Sequence, residues 1–242
     1  MKAALQRFLQ TILGFENYLY FLSIFKVFTS KYNKWEKDFH HFLTLISNGQ
    51  TVLDIGANVG VMTVLIAKKI RTGHVYSFEP VQLNYTALCR VISRFGLKNV
   101  TPFNFALGNE AKYAKMFMPI LKSVKMTGYS YIADNSAEQH DNMEFSVEVR
   151  VLDKEEEFRG KKIHAMKIDV EGYERFVLEG SLELIRENKP IIYCELADSE
   201  NRKKSMELLK SLDYKVFVYE NKKLIQYEPE RHHSVNYFFL PE

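Results

Sequence analysis

Short apolar runs alternate with stretches of helical periodicity along most of the chain. Val52, Leu53 and Ile55 predict a buried strand, and apolar residues three or four apart between Val61 and Ile70 predict the helix that follows it. Strands that alternate with helices predict an α/β fold built on a doubly wound, mostly parallel sheet. Further strands are predicted at 74–78, 100–105, 164–169, 190–195, 215–219 and 235–240, and further helices at 81–95, from 176 onwards and at 201–212.

The first 48 residues follow a different pattern. Apolar residues recur at helical spacing on both sides of Gly14, and a further helix is predicted at 34–46. Charged residues such as Arg7 and Lys26 interrupt the pattern, so the segment lacks the continuous apolar stretch of a signal peptide. We expect residues 1–48 to form a helical extension in front of a domain at 49–242. Three interpretations remain open: a cover over one edge of the core, a lid over an active site, or a surface that contacts a membrane or a partner.

Residues 111–152 interrupt the alternation of strands and helices. The stretches 113–118 and 143–151 have the pattern of antiparallel strands, and a polar stretch, 134–142, lies between them. Long connections inside compact domains commonly carry function. We therefore expect an insertion that carries a substrate loop.

Composition narrows the class of protein further. The chain has 242 residues, of which 46% are hydrophobic and 26% charged, and its net charge is only +3. These values exclude intrinsic disorder and a disulfide scaffold, and the charge does not indicate a nucleic-acid partner. No apolar run reaches the length of a membrane-spanning helix, and Cys89 and Cys194 lie in apolar patterns typical of reduced packing residues. We expect one soluble α/β protein in the cytoplasm.

The first candidate binding motif lies at 51–60, where a strand runs into a glycine turn. Gly56 and Gly60 permit a tight turn before the helix, and Glu79 ends the next strand 19 residues after Gly60. An acidic residue at about this spacing binds the ribose in βαβ nucleotide sites. The motif therefore predicts that a nucleoside lies over the turn with its ribose on Glu79. The alternative is that the glycines only shape the turn and Glu79 caps a helix.

The charge of Asp54 indicates which nucleoside is bound. A pyrophosphate would be repelled by this carboxylate, and the G-x-x-x-G spacing differs from the G-x-G-x-x-G of dinucleotide sites. An ammonium and a sulfonium would be attracted, so we predict S-adenosyl-L-methionine as the cofactor rather than NAD. Asp54 would face its methionine end, and Gly56 would allow close approach to the backbone. Asn58 would bind the methionine end or stabilise the turn.

The adenine is predicted to lie at the end of the third strand. Ligands of such folds bind beyond the carboxyl ends of the strands, which places the segment from Asn104 to Ala106 near the base. Asn104 would recognise the adenine amino group or serve only as a polar strand end.

The second candidate motif lies at 164–174. Lys167 occupies an apolar strand, where an unpaired ammonium is costly, so an acidic partner is expected from either Glu195 or Asp54. Asp169 and Glu171 follow in the loop at the strand end, where ligands bind. These two carboxylates are the candidate catalytic groups.

Several stretches together resemble the FkbM family of S-adenosylmethionine-dependent methyltransferases. The resemblance covers about residues 50–197 and implies a Rossmann-like seven-stranded sheet and O-methylation of a hydroxyl on a sugar, glycan or other small metabolite. The N-terminal helices and residues 111–152 fall outside the shared motifs, so we expect the acceptor to be selected there. The matching stretches are Val52–Gly60, Phe78–Pro80, Ala106–Gly108, Lys167–Glu174 and Glu195.

Methyl transfer to a hydroxyl needs a base, and Asp169 or Glu171 would take the proton, with Lys167 and Glu195 as a supporting ion pair. A divalent metal on Asp169 and Glu171, which would orient and acidify the hydroxyl, is an open alternative without a clear ligand set. The histidine pairs at 40–41 and 232–233 have no Cys or carboxylate partner at ligand spacing, so solvated or capping histidines are expected there. Two rival functions are an NAD(P)-dependent oxidoreductase and a non-catalytic binding module. The expected partner is a small-molecule or glycan acceptor and not a nucleic acid. The oligomeric state stays open.

Overall fold

The computed structural model describes residues 2–33, 36–121, 123–132 and 141–242 and has the expected α/β architecture. Short 3₁₀ turns join some of the elements. The helices are α1 Lys2–Leu13, α2 Phe15–Thr29, α3 Lys37–Leu45, α4 Val61–Ile70, α5 Gln82–Arg94, α6 Glu174–Glu179, α7 Leu182–Asn188 and α8 Glu200–Ser211. The strands are β1 Thr51–Ile55, β2 His74–Phe78, β3 Val100–Phe103, β4 Ala106–Leu107, β5 Lys112–Leu121, β6 Val124–Lys125, β7 Tyr131–Ile132, β8 Asn142–Arg150, β9 Ala165–Ile168, β10 Ile191–Glu195, β11 Tyr214–Glu220, β12 Lys223–Gln226 and β13 Asn236–Pro241.

A large twisted sheet forms the centre of the molecule, in the order β12-β11-β13-β10-β9-β1-β2-β3. The five strands from β10 to β3 are parallel, and β13 runs antiparallel between β10 and β11. The predicted doubly wound, mostly parallel sheet is therefore confirmed. Within the described ranges it has eight strands instead of the expected seven, because β12 folds back onto β11 after a turn at Asn221, whose φ is +51°.

The segment 111–152 forms a second, smaller sheet. Its long strands β5 and β8 pair antiparallel, as their sequence pattern predicts, and β6 and β7 add short pairings to β5. The parallel pair β4 and β8 joins this sheet to the end of the third strand of the large sheet. Residues 133–140, which include most of the predicted polar stretch, lie outside the described residues.

Helices form the N-terminal segment, as predicted, and α1 and α2 meet at Gly14, whose φ is +70°. The inner side of α2 is buried against α4 and α5 through Tyr18, Leu19 and Val27. Helix α3 covers 37–45 of the predicted 34–46 and packs Phe39 and Phe42 onto the sheet, while positions 34 and 35 are outside the described ranges. None of the described helices is both long and apolar enough to cross a membrane.

Strand alternation decides which side chains of β1 face which layer. Leu53 and Ile55 point into the core beneath α6 to α8, whereas Val52 and Asp54 point towards α4 on the opposite face. Lys167 is the register partner of Asp54 on β9 and therefore faces the same layer. The order of the sheet reverses at β1 and β9, and such a switch point opens a crevice at the carboxyl ends of the strands.

Candidate active site

A cavity of about 460 Å³ opens in this crevice. Its floor is made by the carboxyl ends of four parallel strands, which contribute Gly56 after β1, Glu79 after β2, Asp169 after β9 and Glu195 at the end of β10. The segment 105–107 forms one wall. The sheet thus brings the candidate residues of both sequence motifs to one place.

The glycine turn after β1 requires residues without side chains. Gly56 has a φ of +79°, and a Cβ atom built there would lie 1.8 Å from the carbonyl oxygen of Asp169. Gly60 has a φ of +83°, and its Cβ would lie 2.7 Å from a methyl carbon of Leu88. The first glycine therefore lets the turn contact the β9 loop, and the second lets it contact α5. Of the two, only Gly56 lines the cavity.

Asn58 occupies the tip of the turn in the left-handed region, with a φ of +49°. Its backbone N–H donates to Glu79 at 2.8 Å, and its side chain lines the cavity. The side-chain Oδ1 is buried and accepts no hydrogen bond from any described residue. Such an acceptor suits a ligand donor, so both roles predicted for Asn58, turn residue and ligand contact, agree with its position.

Glu79 is almost completely buried and accepts hydrogen bonds only from uncharged donors. Its Oε2 accepts from the backbone of Asn58, and its Oε1 accepts from the backbone N–H of Val81 at 2.9 Å and from the amide of Asn84 at 3.3 Å. Burial raises the pKa of Glu79 to about 7, since these hydrogen bonds offset only part of the desolvation. The carboxylate borders the cavity and has capacity to accept further hydrogen bonds from a ligand.

The residues from Asn104 to Ala106 have two different positions relative to the cavity. Ala106 and its neighbour Phe105 line the cavity, as expected for an adenine wall. The amide of Asn104 instead donates to the carbonyl oxygens of Glu79 and Pro80, at 2.9 and 3.1 Å, and does not border the cavity. Of the two roles predicted for Asn104, this position favours the polar strand end over recognition of the adenine amino group, because the side chain holds the loop after β2 and lies outside the cavity lining.

Asp54 lies beneath the floor of the cavity and not on its surface. It is fully buried, its Oδ2 accepts a 2.5 Å hydrogen bond from Thr63 of α4, and its Oδ1 lies 3.4 Å from Nζ of Lys167. The expectation that Asp54 faces the ligand directly is therefore corrected. Strand alternation turns its side chain towards α4, away from the cavity.

Lys167 is the buried cation of the site. Its Nζ lies 3.3 Å from Oδ2 of Asp169 and donates to the carbonyl oxygen of Gly56 at 2.8 Å. Burial alone lowers the pKa of Lys167, but the carboxylates of Asp169 and Asp54 more than offset this effect and raise it. Of its two predicted partners Asp54 is confirmed, whereas the Lys167–Glu195 ion pair is wrong. Tyr193, not Glu195, is in register with Lys167 on β10.

Three carboxyl groups, Asp169, Glu171 and Glu195, line one end of the cavity. Desolvation, followed by repulsion from Asp169, Glu195 and Glu174, raises the pKa of Glu171 to about 8. Desolvation and repulsion from Asp169 raise the pKa of Glu195 to about 7. This end of the cavity is therefore acidic and holds groups that titrate near neutral pH.

The loop that carries Asp169 and Glu171 is held by Glu174. The buried carboxylate of Glu174 accepts from the backbone N–H groups of Val170 and Gly172, at 3.3 and 3.0 Å. Glu171 adopts a φ of +50°, which is unusual for a residue with a side chain. The hydrogen bonds of Glu174 thus stabilise a turn that positions the acidic end of the cavity.

Two segments outside the sequence motifs complete the cavity, and sequence reasoning did not identify their residues. Lys26 of α2 and Glu36 come from the N-terminal segment, and 127–130 come from the 3₁₀ turn after β6. The Oε2 atom of Glu36 is buried without a hydrogen-bond partner among the described residues. The available signal was Lys26, the one basic residue of the largely apolar helix α2.

The histidine pairs lie away from the cavity. His40 contacts the carbonyl oxygen of Ser30, His41 stacks on Tyr219 with ring centroids 4.4 Å apart, and His232 accepts from the backbone of Glu228. In the described part of the chain, no group of three or more His, Cys, Asp or Glu side chains is arranged to hold a metal ion.

Comparison with known proteins gives one family and one fold. The sequence matches the family model described as the methyltransferase FkbM domain over residues 54–231. The crystal structure of methyltransferase FkbM from Methylobacillus flagellatus KT superposes with a TM-score of 0.54 at 17% identity, over 80% of this chain and 44% of that chain. No curated protein matches the sequence.

Two further solved structures resemble the chain less closely. An S-adenosylmethionine-dependent O-methyltransferase from Thermotoga maritima has a TM-score of 0.49 at 12% identity, over 85% of this chain and 64% of that chain. Fibrillarin from Aeropyrum pernix, solved with natively bound S-adenosyl-L-methionine, has a TM-score of 0.47 at 11% identity, over 80% and 67%. The chain spans less than half of the Methylobacillus protein and just under two thirds of the Thermotoga protein.

Proposed function

The chain belongs to the methyltransferase FkbM family, whose cofactor is S-adenosyl-L-methionine, and from this we propose that it methylates a hydroxyl oxygen of a sugar, glycan or other small metabolite. The observation that carries the proposal is the distribution of carboxyl groups in the cavity. Glu79 borders it beside the glycine turn, and Asp169, Glu171 and Glu195 line its acidic end.

Glu79 is suited to bind the ribose. Its carboxylate already accepts three hydrogen bonds from neutral donors, two on Oε1 and one on Oε2, and has one lone pair left, on Oε2, for the ribose hydroxyls. Hydrogen bonds from these hydroxyls favour the ionised form and so offset part of the burial that raises the pKa of Glu79. In this arrangement the adenine lies along the 105–107 wall, and the methionine part extends towards the β9 loop.

The acidic end of the cavity is suited to the cationic end of the cofactor. Lys167 forms an ion pair with Asp169 from below, whereas its weaker attraction for Glu171 and Glu195 does not offset the burial and repulsion that raise the pKa of both groups. A sulfonium and an ammonium are attracted to such a site, whereas a pyrophosphate is repelled. The preference for S-adenosylmethionine over NAD(P) that the sequence assigned to Asp54 thus rests on these surface carboxyl groups.

Methyl transfer itself requires alignment and a base. The acceptor oxygen attacks the methyl carbon, the carbon–sulfur bond breaks with its electron pair remaining on sulfur, and the hydroxyl proton passes to a carboxylate. A base works best when its pKa is near the working pH, which favours Glu171 and Glu195 for this step. Asp169, fixed by Lys167, helps to orient the acceptor hydroxyl and the sulfonium. Alignment of the reactants can contribute about 7–11 kcal/mol to lowering the barrier.

Binding and transfer are tested separately. Calorimetric titration with S-adenosylhomocysteine is expected to show binding, whereas NADH gives none. Mass spectrometry of sugars, glycans and metabolites incubated with isotopically labelled cofactor then identifies the acceptor by its mass increase. Binding of NADH in preference to S-adenosylhomocysteine would overturn the cofactor assignment, and label found on nitrogen or carbon would overturn the hydroxyl assignment.

A further inference from the structure

Helix α2 has apolar residues on two opposite faces. Leu19 and Val27 are buried against α4 and α5, which accounts for the inner face. Phe21, Phe25 and Phe28 follow a spacing of four and three residues on the outer face and are 52%, 65% and 62% exposed. A surface helix normally carries polar residues on its solvent side. The outer face is therefore built for contact with something other than water.

Basic side chains border this aromatic row along α4 and α5. The guanidinium of Arg90 lies 4.3 Å from the ring centroid of Tyr20, which in turn packs 5.2 Å from Phe21. At the other end, the ammonium of Lys68 lies 4.1 Å from the ring of Phe95, which packs 5.8 Å from Phe28. Arg94 is exposed and lines a surface groove beside Tyr20 and Arg90. The aromatic row and the cations thus form one continuous surface.

The segments that surround the aromatic row are also rich in basic residues and poor in acidic ones. Residues 1–33 and 55–109 contain ten Lys and Arg residues but only two acidic residues, Glu16 and Glu79, although the whole chain has a net charge of only +3. Glu79 is buried at the cavity, and neither α4 nor α5 contains an acidic residue. The surface beside the aromatic row is therefore mainly positive, and the exposed Glu16 in the first turn of α2 offsets only a small part of this charge.

We propose that this surface docks on a membrane that contains anionic lipids. We define it as the α2 aromatic surface: Phe21, Phe25, Phe28, Tyr32, Lys68, Arg90 and Arg94. The rings enter the interface between headgroups and acyl chains, and the cations face lipid phosphates. Exposed apolar residues of α1, namely Leu5, Phe8 and Ile12, repeat the pattern on the neighbouring helix.

A second copy of the chain is a poorer occupant of this surface. In a twofold symmetric dimer each copy presents the same patch to the other, so the cations of one α2 aromatic surface would face those of its partner. Such like-charge contact opposes association. An anionic bilayer satisfies both the aromatic row and the cations, and the proposal does not depend on which reaction the cavity supports.

Vesicle flotation with the 242-residue chain tests the proposal. Binding is measured on phosphatidylcholine vesicles and on vesicles in which a quarter of the lipid is phosphatidylserine, at low and high salt. Three variants are compared with the parent protein: Phe21→Ser/Phe25→Ser, Lys68→Glu/Arg94→Glu, and Tyr113→Ser as the matched control. Tyr113 is a 78% exposed ring on β5, outside the α2 aromatic surface. Thermal unfolding establishes that each variant is folded.

The parent protein and Tyr113→Ser are expected to bind the anionic vesicles and to be released by salt. The aromatic variant is expected to bind about tenfold or more weakly because two rings no longer enter the interface, and the charge variant is expected to lose the preference for phosphatidylserine. The proposal is overturned if the folded parent binds neither vesicle or binds both equally. It is also overturned if sedimentation shows a stable dimer that Phe21→Ser/Phe25→Ser dissociates.

Discussion

Asp54 and Glu79 are buried carboxyl groups near the carboxyl ends of neighbouring parallel strands, and their environments differ. Asp54 is paired with the Lys167 ammonium beneath the cavity, whereas Glu79 has only uncharged hydrogen-bond donors and borders the cavity. A buried carboxylate with its own cation is part of the framework. One without a cation has its pKa raised to about 7 and gains from a ligand that donates hydrogen bonds.

The neighbouring strands explain the difference. β1 lies between β2 and β9, and its register places Lys167 directly beside Asp54. β2 lies between β1 and β3, where Phe103 is the register partner of Phe78, so no cation is in register at the end of β2. Asp54 lies within β1 beside Lys167, whereas Glu79 follows the last residue of β2, beyond the register pairs of that strand.

The largest change in turnover is expected on substitution of Asp169, which is paired with Lys167 as Asp54 is and borders the cavity as Glu79 does. Its carboxylate touches Lys167 on one side and the cavity on the other. In Asp169→Asn we expect turnover to fall about 10²–10⁴-fold, because the acidic end loses an orienting charge, while S-adenosylhomocysteine binds within a few-fold of the parent. The measurement is transfer of labelled methyl together with calorimetry. Glu207→Gln, on an exposed part of α8, serves as the control, and near-normal turnover in Asp169→Asn would refute its role.

Removal of the Lys167 ammonium should make the buried carboxylate of Asp54 destabilising. Lys167→Met leaves a buried carboxylate unpaired, so we expect the free energy of unfolding to fall by about 3–5 kcal/mol in denaturant titration. Lys69→Met on the exposed side of α4 should change it by less than about 0.5 kcal/mol. The double variant Asp54→Asn/Lys167→Met should recover part of the loss. If Lys167→Met were as stable as the parent, the pairing would have no structural importance.

Glu79→Gln should affect ligand binding as well as stability. The amide removes a desolvated charge, but its NH2 group must face a backbone N–H that now donates to Glu79, so the free energy of unfolding at pH 7 should fall by about 1–3 kcal/mol. Affinity for S-adenosylhomocysteine should fall about 10–100-fold, because the ribose hydroxyls lose a charged acceptor. Calorimetry measures the affinity and denaturant titration measures the free energy of unfolding, on the same preparation. A folded variant with unchanged affinity would remove Glu79 from the ribose site.

The smallest expected effect is a pH dependence of stability. Burial raises the pKa of Glu79 from 4.5 to about 7, so between these values the folded chain keeps a proton that the unfolded chain releases. The contribution of this group to stability is therefore present below pH 4.5 and is lost as pH rises to about 7. Thermal unfolding of the parent should show this decline, and Glu79→Gln should show less of it. Saturating S-adenosylhomocysteine should also reduce it, and identical profiles in all three samples would contradict the assignment.

Much of the fold was predictable because it is encoded locally. Strand and helix periodicities around 51–103 and 165–212 agree with the observed elements to within a few residues, and the helix at 61–70 has the predicted limits. Parallel strands deliver their carboxyl ends to one edge, so Glu79, Asp169 and Glu195 could be assigned to one site before the structure was known.

The remainder depends on register and on distant segments. The sequence offered Glu195 and Asp54 as partners of Lys167, and only the pairing of three strands decides between them. The prediction that Asp54 points to the ligand was wrong, because strand alternation directs its side chain towards Thr63 of α4. Lys26 and Glu36 reach the cavity through helix packing, which no local pattern near the motifs indicates.

The contact between Gly56 and the carbonyl of Asp169 links the donor side of the pocket to the acceptor side. With room for no Cβ between them, the turn that receives the cofactor and the loop that carries the acids lie in direct backbone contact. Methyl transfer requires carbon and oxygen about 3 Å apart, so in the proposed function this contact would help to set the distance between the two reactants. A side chain at position 56 would have to displace the backbone of Asp169, so alanine there would move the glycine turn and the acidic loop relative to each other.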